Sequence, residues 1–209
     1  MSTGAALTVM TRNLYVGSEF APVMEARSLQ EVLEAVPAVH REIVDSNFPE
    51  RAESLADEIA DAAPDLIGLQ EAVLVRSGPA DDDEPTEDEL DYLQLLLDAL
   101  GRRGTRYEAV EEVWNIDASM PSGFPPTRKL RLTDRGALLA RTGIELSTTQ
   151  TGSFRAKAIV DVGGSAIPFT RGWVAAELRV DQDGVRAPRP GLAVGRSGDR
   201  VDRVLEDER

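Results

Sequence analysis

The chain has 209 residues, no cysteine, one histidine and a formal charge of −14. That length fits one domain, or one domain with a tail, and is enough to bury a core without a disulfide or metal staple. The composition excludes disulfide scaffolds, thiolate metal sites, cysteine nucleophiles and multi-histidine zinc centres, and the acidity argues against broad attraction to nucleic acid or anionic lipid. A bound cation would still invert the local field at a phosphate site. No apolar run approaches the roughly 18 residues of a membrane span. The segment Met1-Ser2-Thr3-Gly4-Ala5-Ala6-Leu7 lacks the basic start of a signal peptide, so a cytoplasmic location is expected; a different start site would leave secretion open.

In chain order, residues 7–12 read as a strand ending at Asn13, with Val16-Gly17-Ser18 as a loop. Ser28 and Glu31 form a capping box for a helix whose apolar face is Leu29, Val32, Leu33, Val36, Ile43 and Val44. Pro37 predicts a kink in it, or two short helices. Asn47 and Glu50 start another helix, with Ala52, Leu55, Ala56, Ile59 and Ala63 at helical spacing, stopped by Pro64-Asp65. Leu66-Ile67-Gly68-Leu69 is a short buried strand followed by Gln70 and Glu71.

Residues 77–89 read as an acidic loop whose Asp81-Asp82-Asp83-Glu84 run lacks the spacing of a calcium loop. Thr86 and Glu89 then cap a helix from Leu90 to Leu100, closed by Gly101. A strand is predicted from Tyr107 to Trp114, a surface loop over 115–127, and strands at 136–140, 144–149, 154–160 and 173–180. Trp114 and Trp173 are expected as core anchors, and His40 as a helix residue at the core margin. Strand and helix alternate first and strands meander after, which argues for a mixed-sheet α/β domain over 5–180. Residues 181–209 are aperiodic and rich in Arg, Pro and Gly. They are expected to be disordered, apart from a short helix near 200–207, or to come from a shifted reading frame. Lys129 and Lys157 are the only lysines among 23 basic residues, a bias of GC-rich genes that favours the frameshift origin.

Asn13 and Glu71 each end a predicted strand. If those strands are neighbours and run the same way, both side chains emerge at one sheet edge, where open α/β sheets bind ligands. A carboxylate there suits Mg2+, which takes oxygen ligands and leaves room for water and phosphate. The competing reading is that Asn13 caps a turn and Glu71 is a solvated strand end.

Thr11-Arg12-Asn13-Leu14-Tyr15, then Arg51 and its helix, then Pro64-Asp65-Leu66-Ile67-Gly68-Leu69-Gln70-Glu71 together resemble the endonuclease/exonuclease/phosphatase superfamily, the deoxyribonuclease I-like proteins. Leu132-Thr133-Asp134-Arg135-Gly136-Ala137-Leu138-Leu139-Ala140-Arg141 looks like the family's next core strand, and Arg171-Gly172-Trp173 opens what looks like another. The resemblance implies a two-sheet α/β sandwich, incomplete at its C-terminal end. It also implies metal-assisted hydrolysis of a phosphomono- or diester. Glu71 would bind Mg2+ (or Mn2+ or Ca2+), Asn13 would be a polar active-site residue at the metal, and Asp134 and Arg135 would be neighbours of the site.

The family's catalytic His with its S-D-H motif, its G-D-x-N motif and its T-H-L strand have no match here. Gly198-Asp199-Arg200-Val201 imitates G-D-x-N for two letters only. The expectation is therefore a weakly active or inactive phosphoesterase portion, since positioned acid–base groups contribute about 10²–10⁴-fold. The rivals are a binding module that kept the scaffold and a non-functional fragment. The substrate's identity and the oligomeric state are not legible, and nucleic acid is disfavoured by charge.

Overall fold

The structure, a computed structural model, describes residues 7–123, 127–178 and 192–194. Strands β1 (Val9–Asn13) and β2 (Leu66–Gln70) pair in parallel, with Asn13 opposite Gln70. Parallel neighbours need a long crossover. Here it carries α1 (Ala21–Met24), α2 (Leu29–Asp45) and α3 (Phe48–Ala62).

α2 is one helix through Pro37 rather than two short ones. Proline removes one intrahelical bond at a cost of about 3 kcal/mol. The buried stripe Val32, Val36, Val39 and Ile43 continues on both sides of it, and each buried aliphatic returns about 1.5–3 kcal/mol. Leu29 and Val44, expected on that stripe, are exposed at its ends. Ser28 caps α2 as expected, its Oγ accepting from Glu31 N at 3.3 Å. Asn47 does not cap α3 through its side chain. It is left-handed (φ 50°) and its amide donates to Glu50 Oε2 at 2.7 Å.

After β2 come β3 (Leu74–Pro79), β4 (Glu87–Asp91) and α4 (Tyr92–Arg102). The acidic loop is therefore shorter than predicted, and Thr86 and Glu89 do not cap α4. Residues 87–91 pair antiparallel with β3 instead, and Asp91 caps, its Oδ1 accepting from Leu93 N at 3.1 Å and Gln94 N at 3.2 Å. A strand ladder satisfies those backbone groups through a partner a dozen residues away, which a local cap motif cannot signal.

β5 (Tyr107–Ser122) and β6 (Arg128–Arg141) form a long antiparallel pair. Much of the loop predicted over 115–127 is thus strand. Pro121 fits because β5 is an edge strand pairing with β6 alone among the described residues. β6 is central: its first half pairs with β3 and its second half with β2. Alternate residues of β6 serve two cores. Ala137 and Leu139 join a cluster with Phe48 and Ile59 of α3 and Leu96 of α4. Leu138 and Ala140 join Leu66, Val113, Val174 and Ala176.

The remaining strands are β7 (Leu146–Ser153), β8 (Ala158–Val162), β9 (Ser165–Phe169), β10 (Gly172–Leu178) and β11 (Leu192–Val194). β8 and β9 make a hairpin, and β10 lies between β7 and β11. Residues 192–194 of the expected tail therefore belong to a sheet. The rest of that expectation, including the helix near 200–207, lies outside the described residues. Trp114 is 53% exposed and is not a core anchor. The whole is a mixed α/β fold, and no helix among the described residues is long and apolar enough to cross a membrane.

Candidate functional site

The parallel pair β1–β2 delivers Asn13 and Glu71 to one sheet edge. Beyond β1 the ladder continues by one bond, Leu14 N to Gln70 O at 2.8 Å. Glu71 then takes a left-handed conformation (φ 56°) as the chain leaves β2. A non-glycine residue there costs about 1–2 kcal/mol, and such strain concentrates at functional sites. The turn leaves Glu71 8% exposed and its carboxylate doubly held. Oε1 accepts from Asn13 Nδ2 at 3.0 Å and Oε2 from Val16 N at 2.9 Å. Asn13 Oδ1 accepts from Tyr15 N at 2.8 Å. Asn13 thus caps the turn and orients Glu71 at once, and Glu71 is a buried carboxylate rather than a solvated strand end.

The loop that supplies Val16 N is clamped by Arg51 of α3. Its Nη1 donates to Leu14 O at 2.7 Å, its Nη2 to Tyr15 O at 3.0 Å and its Nε to Ser46 O at 3.0 Å. The guanidinium also lies 4.9 Å from the ring centre of Phe48, which stacks on Tyr92 at 3.6 Å. Tyr92 closes the clamp by donating its hydroxyl to Val16 O at 2.9 Å. Arg51→Ala strands two loop carbonyls. We expect it to cost about 2–3 kcal/mol and to lower Tm by about 5–10 °C. Arg51→Lys should recover less than half of that in the same thermal melt, because an ammonium lacks the planar fork.

Asp134 of β6 faces the same place. It is 5% exposed; its Oδ2 accepts from Asn115 Nδ2 at 3.4 Å, and its Oδ1 is buried with no hydrogen-bond partner. Burial pushes its carboxyl above the ordinary carboxylate range, with Asn115 and Arg171 pulling the other way. Asn115 is fixed in turn: its Oδ1 accepts from Gly172 N at 2.9 Å. Position 172 must be glycine, since a Cβ would stand 2.2 Å from Val113 Cγ2 and 2.9 Å from Gly152 O.

Glu71 and Asp134 both line a cavity of about 20 Å³, together with Gln70, Asn115 and Gly172. That space takes one water or one ion. Two buried carboxylates on one small cavity, one oxygen of them unpartnered, form a hard-oxygen donor set that suits Mg2+, Mn2+ or Ca2+. No group of three or more acidic or imidazole side chains that could hold a metal ion occurs among the described residues.

No family model matches the chain, and no curated protein matches it. A solved structure of an endonuclease/exonuclease/phosphatase family protein from Leptotrichia buccalis C-1013-b is similar at 16% identity and a TM-score of 0.39, over 88% of this chain and 52% of that one. The chain thus spans about half the length of that structure.

Arg135, expected beside the site, is directed elsewhere. Its Nε donates to Ala72 O at 2.8 Å and its Nη2 to Asp91 at 2.5 Å, tying the β2–β3 turn to the start of α4. His40 sits on α2 with 27% of its side chain exposed, bonded to Glu89 Oε2 at 2.6 Å. Burial alone would raise Glu89, but hydrogen bonds with Ser77 and His40 hold it below the ordinary carboxylate value. Sequence reasoning missed Asn115, hidden in a presumed loop, and Arg171, noted only as a strand opening.

A second cavity, of about 430 Å³, also has Glu71 and Asp134 in its wall. Most of its lining is aliphatic or aromatic.

Proposed function

We propose that this chain carries the metal-binding part of a phosphoesterase site of the endonuclease/exonuclease/phosphatase kind. The single observation that carries the reading is the pair Glu71–Asp134 on one small buried cavity, with Asp134 Oδ1 unpartnered. The sequence motifs ending at Asn13 and Glu71 support it, because they meet at the C-terminal edge of a parallel pair. In this reading the apolar cluster joining β2, β5 and β6 to β10 is the interior between the two layers of a sandwich.

Glu71 and Asp134 would hold one divalent cation, Mg2+ in the first place, with Mn2+ or Ca2+ bound by the same donors. Bound there, the ion supplies charge neutralisation and polarises a phosphoryl oxygen. Asn13 and Val16 N keep the Glu71 carboxylate aimed, and Asn115 keeps Asp134 aimed. Arg171, on the wall of the larger cavity, adds positive charge for a phosphate. The substrate class is a phosphomono- or diester. The chain's one histidine is bonded to Glu89, and turnover without a positioned imidazole is expected to be slow.

The test is hydrolysis of bis(p-nitrophenyl) phosphate and p-nitrophenyl phosphate by the purified chain, with Mg2+ and with EDTA, alongside thermal melts. Slow turnover that EDTA abolishes is the expected result. A Mg2+-induced rise in Tm without turnover selects the binding-module reading, which the inward bonds of Asn13 and Glu71 favour. No effect of the metal on either measurement overturns both.

A further inference from the structure

We infer that the large cavity receives the aliphatic chain of a single-chain phosphate ester whose phosphate lies at Glu71 and Asp134. The inference rests on the phosphoesterase reading and adds the substrate class. Continuity comes first: Glu71 and Asp134 line both cavities, so the apolar space begins where the two carboxylates are. The walls come next. Val23 and Val39 of α1 and α2, Ile116 and Leu132 of β5 and β6, and Val162 and Ile167 of β8 and β9 face one another across the space. At about 430 Å³ it has the size of a small-molecule site. Water wets its mostly apolar wall poorly. A nucleobase or sugar would find few polar partners along this mostly apolar wall, beyond Ser18, Glu19, His40 and Arg131. A hydrocarbon chain leaves nothing unpaired. Arg171 lines the same cavity and gives an anionic head a counter-charge that the chain's overall acidity does not supply.

The probes are hexyl, octyl and decyl phosphonate, which resist hydrolysis, titrated calorimetrically below their micelle concentrations into the full chain with Mg2+. Each added methylene should tighten binding by about three- to fourfold until the space is filled. Octanol should bind more weakly than octyl phosphonate. Ala118→Phe, which places a ring in the cavity from β5, should remove the chain-length dependence while keeping the Mg2+-induced rise in Tm. Ala118→Leu should weaken the dependence less, and it serves if the larger substitution does not fold. Equal affinity across the series, or octanol binding as tightly as octyl phosphonate, overturns the inference. These measurements need no turnover. Chain-length dependence without hydrolysis supports the cavity assignment while the phosphoesterase reading falls; metal-dependent hydrolysis without chain-length dependence overturns the cavity assignment alone.

Discussion

Glu71→Ala should abolish the response to Mg2+ and weaken the fold at the same time. The carboxylate is the acceptor for Asn13 Nδ2 and Val16 N, at 3.0 and 2.9 Å. Hydrogen bonds to a charged group contribute about 1.5–3 kcal/mol, and a buried N–H left without an acceptor adds its own desolvation cost. The metal-free variant should therefore lose about 2–4 kcal/mol. If the ion contributes about 3 kcal/mol or more to the transition state, turnover falls at least about 100-fold. Glu71→Gln separates the two effects, because it keeps the shape and an acceptor oxygen but not the charge. It should hold more of the stability than the alanine variant, although its NH2 faces one of the two donors, and lose the metal response. Glu71→Gly relieves the left-handed strain at φ 56° and should fall less in stability than the alanine variant. Turnover that survives Glu71→Ala would remove this residue from the site.

Asp134→Asn should act in the opposite direction on the metal-free protein. The carboxyl of Asp134 is raised above its ordinary value by burial, so the folded chain binds that proton more tightly than the unfolded chain does. The stabilisation by the neutral form is complete below the unfolded value of about 3.9, and it is lost as pH rises through the folded value. At neutral pH without metal, the buried charge is a liability that the amide removes. Asp134→Asn should then stabilise by on the order of 1 kcal/mol, raising Tm by about 2–4 °C. The gain should shrink as pH is lowered toward 4. With Mg2+ the order should reverse, since the ion offsets the charge and the amide holds it poorly. Thermal melts at acid and neutral pH, with EDTA and with Mg2+, read all of this. A variant less stable than the native chain at neutral pH in EDTA would mean that Asp134 is satisfied in a way the unpartnered Oδ1 does not indicate.

That Asn13 and Glu71 each end a strand was legible before any fold was known, and the family resemblance is what singled the two out. Asn13 closes a short β-branched strand, and Glu71 follows the helix–Pro64-Asp65–strand unit that the apolar spacing marks out. Asp134 was named as a neighbour only through the family resemblance of the segment from Leu132 to Arg141. Asn115 was not, because three prolines and a glycine over 115–127 carry the local signature of a loop. Only the long pairing with β6 makes the first part of that segment a strand, and pairing energy is not written in one segment's composition. Thr86 and Glu89 failed as a cap for the same reason: the edge of β3 offered residues 87–91 a ladder that a four-residue pattern cannot announce.

Arg135 marks the boundary most sharply. Its neighbour Asp134 points into the site, while Arg135 points to Asp91 and Ala72, because successive side chains of a strand leave opposite faces. What the sequence determined by itself was local: the amphipathic stretches of α2 and α3, the short strands, the acidic surface, and which polar residues end which strand. What only the tertiary structure decided was non-local: that β1 and β2 lie side by side, that Asp134 is stripped of water beside Glu71, and that an apolar space opens next to both. Burial, unpartnered oxygen and cavity shape are properties of how segments far apart in the chain pack together, and no single segment encodes them.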